Sequence, residues 1–215
     1  MYLPLTEHEP SSLITDPVWP NVPEGMIMGH ENPHELLSFV LGEAVPQSVK
    51  RLVIILRSDS DPRFLSAVPN RWPFFNAHWL AYAMPGFYGR ILGGNEIAYA
   101  FGEPIPRREG QKVIPSVGPK AQPQSRAGIG HPCPRTPEHM EWLVRWWSEP
   151  GETIVDPFMG SGTMALAARK WGRKFVGVEI DRRWFDLAVE RIRSLTTNGP
   201  LFETGPSEDS QKELL

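Results

Sequence analysis

A chain of 215 residues with 40% hydrophobic and 22% charged residues carries enough apolar material for one core of ordinary size. It contains no run of about 18 apolar residues, which argues against a membrane span, and its first residues lack the basic-then-apolar order of a secretory signal. A single cysteine excludes an internal disulfide and fits a reducing cytoplasm. The net charge of −3 argues against a uniformly basic nucleic-acid binder.

In chain order, Leu13-Ile14-Thr15 reads as a short strand stopped by Asp16-Pro17, with Val18 and an exposed Trp19 following in the loop. Glu35 to Leu41 reads as a short helix closed by Gly42. The continuous apolar run Leu52 to Leu56 reads as a buried strand. "FFNAHWLAYAM" and "NEIAYAFGEP" read as two further strands joined through glycine-rich "PGFYGRILGG", a candidate hairpin. Residues 104–136 show no periodicity and read as loop. Their charge is distinctive, because no Lys or Arg precedes Lys50, whereas Arg107, Arg108, Lys112, Lys120, Arg126 and Arg135 here face only Glu109. A basic loop on a mildly acidic body is a candidate phosphate-contacting element.

Thr136-Pro137-Glu138 opens a helix with Thr as N-cap and an apolar face through Met140, Leu143, Val144 and Trp147, ended by Pro150-Gly151. "TIVDPF" is a strand, "SGTMALAARKWG" a helix, "KFVGVEID" a strand and "RRWFDLAVERIRSL" a helix. Alternating strands and helices predict a doubly wound α/β domain, mostly parallel with an antiparallel edge strand. One domain over residues 1–200 is expected: a catalytic half (1–103), the basic loop (104–130) and a cofactor half (131–200), followed by a disordered acidic tail (201–215).

The segment from Glu152 to Asp181 carries the chemistry. A strand ends at Asp156, a Gly160-Ser161-Gly162 turn follows, and a helix begins at once. Glycine permits close backbone approach to a ligand, and the helix start offers unpaired N–H donors. The next strand ends in Glu179, suited to accept hydrogen bonds from two ribose hydroxyls. The full dinucleotide pattern is absent, since Met164 and Ala165 follow Thr163 where a third glycine belongs. Together these features point to a nucleoside-bearing cofactor.

Several other patterns read as structural. "HENPH" (residues 30–34) matches a zinc-protease spacing, but Pro33 opposes the continuous helix that His30 and His34 need to share a face. His131, Cys133 and His139 lack a fourth metal ligand of suitable spacing. Trp142 and Trp146, one turn apart, suit helix packing or a dimer surface.

"DPFMGSGT" followed by "VGVEID" resembles the S-adenosylmethionine site of the amino-methylating DNA methyltransferases. "HPCPRTPEHMEWLV" resembles their His-Pro segment, and "TDPVW" resembles their catalytic loop of Asp, Asn or Ser, two prolines and an aromatic residue. The order, catalytic loop first and cofactor loop last, matches the circularly permuted β group, in the style of small phage or prophage adenine methylases of a bacterial host's cytoplasm. The resemblance implies that Asp16, Pro17, Val18 and Trp19 form the catalytic loop. It implies that Asp16, His131, Pro132, Asp156, Pro157, Phe158, Gly160, Ser161, Gly162, Thr163, Glu179 and Ile180 hold S-adenosyl-L-methionine. DNA is the implied partner, contacted by Arg107, Arg108, Lys112, Lys120 and Arg126; a homodimer is compatible, and no metal or membrane is involved.

The chemistry of such a loop is specific. The lone pair of an exocyclic amine is delocalised into the base, and acceptors aimed at its two N–H bonds localise it. The Asp16 carboxylate and the Pro17 carbonyl supply two such acceptors, and Trp19 stacks on a base turned out of the duplex. Val18 replaces the family's second proline and loosens the loop. Asp at the first position favours adenine N6; cytosine N4 is the alternative, as is a catalytically idle module that binds cofactor and DNA. With no long recognition insert, a short or relaxed target sequence is expected.

Overall fold

The computed structural model describes residues 9–83, 87–88, 91–92, 94–106 and 113–197. In chain order these form β1 (Ser12–Thr15), α1 (Pro33–Phe39) running into a π-helical turn (Val40–Ala44), β2 (Arg51–Arg57) and a 3₁₀ turn (Pro62–Ala67). Next come β3 (Phe74–Leu80), the ribbon strands β4 (Phe87–Tyr88) and β5 (Ile91–Leu92), and β6 (Glu96–Gly102). The chain then makes α2 (Arg126–Ile129), α3 (Pro137–Trp147), β7 (Thr153–Asp156), α4 (Thr163–Lys170), β8 (Lys174–Gly177) and α5 (Arg182–Thr197).

Six strands form one sheet in the order β3-β6-β2-β1-β7-β8. β2, β1, β7 and β8 are parallel, while β6 runs against both β2 and β3. The predicted mostly parallel sheet with an antiparallel side is therefore what the sequence builds. Its central strands are apolar on both faces because both faces are covered. Ile14, Val53 and Ile55 pack with Met140, Leu143, Val144 and Trp147 of α3 and Met164, Ala167 and Ala168 of α4. Their alternates Leu13, Leu52, Ile54 and Leu56 pack with Leu37, Leu41 and Val45 on the opposite face.

Three local expectations change. Gly42 does not close the first helix; the wider π-helical turn carries through it, and the chain becomes extended only at Val45. Thr136 is the N-cap of α3 by position, yet its hydroxyl goes to the Glu138 carboxylate instead of a backbone N–H. Residues 104–136 are also not all loop. Pro115 to Ala121 run along the outer edge of β3, where Trp79 N–H donates to Ser116 O (2.9 Å) and Gly118 N–H donates to Trp79 O (2.8 Å). Ala121 N–H donates to Ala81 O (3.0 Å), and Ala83 N–H donates to Ala121 O (2.9 Å). An open strand edge recruits such a segment through its backbone, which no side-chain periodicity announces. Arg107, Arg108, Lys112 and the tail from 201 onward lie outside the described residues.

Candidate active site

β1 and β7 are neighbours, but the chain proceeds from β1 to β2 on one side and from β7 to β8 on the other. Loops leaving such a pair diverge and open a crevice at the strands' carboxyl ends. Asp16 follows β1 and Asp156 ends β7. The two ends are tied together, because the Thr15 hydroxyl donates to Asp156 Oδ1 (2.6 Å), which also accepts the Phe158 N–H (3.1 Å).

A cleft of about 340 Å³ opens there, within the roughly 300–1,000 Å³ typical of small-molecule sites. It brings together most of the residues singled out by sequence. Asp16, Pro17, Val18 and Trp19 form one wall, and His131 borders it. Asp156, Pro157, Phe158, Gly160, Ser161 and Thr163 form the floor, with Glu179 and Ile180 at the side. Pro132 and Gly162 do not line it. Ile27, Met28, Leu36 and Val40 add an apolar wall that was not foreseen; Ile27 and Met28 lie in an irregular segment that no periodic pattern marks.

The glycine turn shows why its residues are small. Gly160 and Gly162 have φ of 49° and 77°, left-handed values that a side chain makes costly. A Cβ on Gly160 would lie 3.3 Å from His131 Nε2, so the bare backbone lets the imidazole sit over the turn. A Cβ on Gly162 would lie 2.9 Å from Ala188 Cβ, so here the absence of a side chain lets α5 approach α4. Arg191 of α5 reinforces the turn by donating to the Ser161 carbonyl.

Glu179 lies just beyond β8 and is pinned by backbone: Oε2 accepts the Gly160 N–H (2.9 Å) and Oε1 the Asp181 N–H (2.8 Å). Burial raises its pKa, and these two donors pull the other way. The Ile180 N–H acts on it too, and the carboxylate still has acceptor capacity left for a ligand hydroxyl. Ile180 beside it lines the cleft and is 68% exposed. His131 accepts the Cys133 N–H at Nδ1 (3.1 Å) and packs edge-on against Trp184 (4.7 Å between centroids). Burial, reinforced by the Arg135 charge, lowers its pKa to about 4, so the ring is neutral near pH 7.

Asp156 is pushed by burial from 3.8 up to about 7, against the hydrogen bonds from Thr15 and Phe158. An acid raised in the folded state binds its proton more tightly there than in the unfolded chain. Its ionisation therefore costs stability as pH rises through that window. Asp156→Asn keeps an acceptor for Thr15 and Phe158 but cannot ionise. Urea melts at a series of pH values should show the variant gaining on the wild type between pH 4 and 7; a constant difference would refute this.

The loop read as catalytic, Asp16 to Trp19, departs from expectation in one respect. Trp19 is buried (6% exposed), not an exposed platform. Its indole N–H donates to Asp16 Oδ1 (2.9 Å), and the guanidinium of Arg135 lies over the ring at 4.3 Å. The sequence marked an aromatic in a loop, but a charged partner brought from far along the chain turned it inward. Arg135, counted above with the basic segment, is itself largely withdrawn from solvent, donating to Asp16 Oδ2 and to Glu96. Of the other basic residues assigned to DNA, Lys120 is exposed and Arg126 opens α2. His30 and His34 take separate partners, the Ile27 carbonyl and Ser66. Among the described residues, no group of three metal-ligating side chains gathers.

A family model described as DNA methylase, of the N6/N4 type, matches residues 47–190. This chain belongs to the N6/N4 DNA methylase family. Among curated members, it is 38% identical over 81 residues to the type II methyltransferase M.ScaI of Streptomyces caespitosus. It is 46% identical over 48 residues to the orphan methyltransferase M.BamHII of Bacillus amyloliquefaciens. These matches cover 38% and 22% of this chain and only 27% and 18% of those relatives. The fold is shared more widely. The M1.HpyAVI–SAM complex superposes with a TM-score of 0.63 at 21% identity, covering 86% of this chain and 89% of that one. TTHA0409 of Thermus thermophilus, complexed with S-adenosyl-L-methionine, gives 0.60 at 22% identity, covering 91% and 90%. The cytosine-N4-specific PvuII DNA methyltransferase gives 0.59 at 15% identity, covering 96% and 84%. This N6/N4 methylase thus has the architecture of both S-adenosyl-L-methionine complexes, and no described helix is long and apolar enough to span a membrane.

Proposed function

We propose that this protein methylates adenine N6 in DNA, using S-adenosyl-L-methionine. The observation that carries the reading is the stitching of Asp16 and Asp156 to adjacent strand ends, so that an amine-accepting loop and a nucleoside-binding turn open on one cleft. The residues suit this cofactor. The pinned Glu179 carboxylate offers acceptors for ribose hydroxyls, exposed Ile180 offers a surface for the purine, and Gly160 to Thr163 with neutral His131 enclose the remainder. When bound, the cofactor supplies an electrophilic methyl group.

The chain's own groups handle the amine. Asp16 accepts one N–H through a carboxylate oxygen and the Pro17 carbonyl accepts the other, which localises the nitrogen lone pair. The apolar wall of Ile27, Met28, Leu36 and Val40 excludes water from the base. Because Trp19 is engaged below Asp16, its role is to orient the carboxylate; base stacking at that position requires the ring to move. Exposed Lys120, with Arg126 at the start of α2, supplies the candidate phosphate contacts, and specificity is expected to be short or relaxed.

The test is to incubate the protein with cofactor and unmethylated DNA, digest to nucleosides and analyse by mass spectrometry. N6-methyladenine is the expected product. N4-methylcytosine would replace the substrate while keeping the site, and cofactor binding without any methylated base would establish an idle module.

A further inference from the structure

The charges beneath the catalytic loop form a cluster that neither the sequence motifs nor the amine chemistry requires. Arg135 donates through Nε to Asp16 Oδ2 and through Nη1 to Glu96 of β6, and its plane covers Trp19, whose indole N–H holds the other Asp16 oxygen. The side chains of Arg135, Asp16 and Glu96 are 12%, 19% and 5% exposed. Among the described residues, Arg135 Nη2 and Glu96 Oε2 are buried without a hydrogen-bond partner. A buried ionic cluster left partly unsatisfied contributes poorly to stability, so its placement under the loop calls for another role.

We infer that Arg135 and Glu96 are positioning residues for methyl transfer: Arg135 fixes the orientation of the Asp16 carboxylate and keeps it ionised, and Glu96 sets how strongly it does so. This rests on the proposed activity. The Arg135 Nε–H on one oxygen and the Trp19 indole N–H on the other fix the plane of Asp16, leaving one lone pair on each oxygen for the substrate amine. Arg135 follows the His131 segment by four residues, so the element bordering the cofactor side also holds the amine acceptor.

The groups facing Asp16 are Arg135 before α3, Glu96 on β6, Tyr82 after β3, Asp156 on β7 and the Trp19 indole. Burial raises Asp16 to about 6; Arg135 opposes that rise and Glu96 adds to it. Burial alone works against the charge on Arg135, but Asp16 and Glu96 together hold it protonated. Burial, with the Glu96 charge, keeps Tyr82 neutral. The two variants therefore pull in opposite directions. Removing the Arg135 charge moves Asp16 ionisation to higher pH, and removing the Glu96 charge moves it lower.

The experiment uses Arg135→Gln, Arg135→Lys and Glu96→Gln, with two readouts. One is the pH–rate profile of methyl transfer. The other, in the ligand-free protein, is the ¹⁵N-indole resonance of Trp19, assigned with Trp19→Phe, which follows Asp16 titration directly. In wild type the acid limb and the resonance midpoint should coincide near pH 6. Arg135→Gln should raise both by a unit or more and, chiefly through the lost orientation of Asp16, cut the rate at least about tenfold at pH 7.5. Glu96→Gln should lower both, and Arg135→Lys should hold the midpoint near wild type while losing rate, because the planar guanidinium bridge between Asp16 and Glu96 is gone. Should Arg135→Gln fail to fold, the other two variants decide. Unmoved midpoints in folded Glu96→Gln and a fully active Arg135→Lys would overturn the inference. Opposed resonance shifts in a protein that transfers no methyl group would keep the network and discard the activity.

Discussion

Asp16→Ala is expected to reduce methyl transfer by at least about 10²–10³-fold, the range seen when one preorganised electrostatic group is removed from a reacting centre. Cofactor affinity should change only a few-fold, because the glycine turn, Glu179 and His131 are held by contacts independent of Asp16. The substitution leaves Arg135 beside Glu96 with one carboxylate fewer, and that residual ion pair keeps the guanidinium from being buried unpaired. The variant should therefore fold, as thermal melts would show, and titration calorimetry beside the nucleoside assay separates binding from turnover. An active Asp16→Ala would remove the catalytic assignment altogether.

Gly162→Ala has the second large effect, on stability. The residue sits at φ 77°, and an added Cβ would meet Ala188 Cβ at 2.9 Å and Ala188 Cα at 3.3 Å. Left-handed strain costs about 1–2 kcal/mol, and overpacking against a helix costs about 1–3 kcal/mol. A loss of roughly 2–5 kcal/mol in denaturant unfolding is expected from these terms together. The double variant Gly162→Ala/Ala188→Gly, referenced to Ala188→Gly alone because glycine inside α5 has its own cost, should recover the steric part but not the backbone part. Full recovery would mean that the left-handed backbone carries no penalty; no recovery would mean that the α4–α5 contact is not what limits this position. Cofactor binding should weaken in parallel, because the same residue is the N-cap of α4.

Both predictions rest on residues that the chain's local pattern singles out, yet the reasons differ. Gly162 stands out in the sequence for backbone approach to a ligand, whereas its hydrogen atom faces Ala188 and the residue does not line the cleft. Gly160, two residues earlier, does line it, under the His131 ring. A sequence reports that a glycine is needed, but a turn presents its residues in different directions. Gly177, inside the quoted VGVEID but not in a turn, is as constrained: a Cβ there would lie 2.4 Å from Met159 Sδ. Inside an apolar strand a glycine carries no turn signal, so only packing reveals it.

Local pattern was sufficient for the architecture. Apolar runs of strand length in Leu52 to Leu56 and Thr153 to Asp156, a glycine turn before α4 and an acid after β8 are contiguous features. Their physics acts within a few residues, so it can be read along the chain. The site's electrostatics were not legible in that way. Arg135 meets Asp16 across 119 residues and Glu96 across 39, and Thr15 meets Asp156 across 141. None of these spacings has a periodic signature, and composition assigned Arg135 to a solvent-facing basic segment. The parallel pairing of β1 with β7 brought those groups into one desolvated crevice. Burial there paired an arginine read as part of a surface segment with the Asp16 carboxylate, and placed inward a tryptophan read as exposed. The sequence carried the parts of the cleft because each part is local; which charges face one another was decided only when the sheet brought its strand ends together.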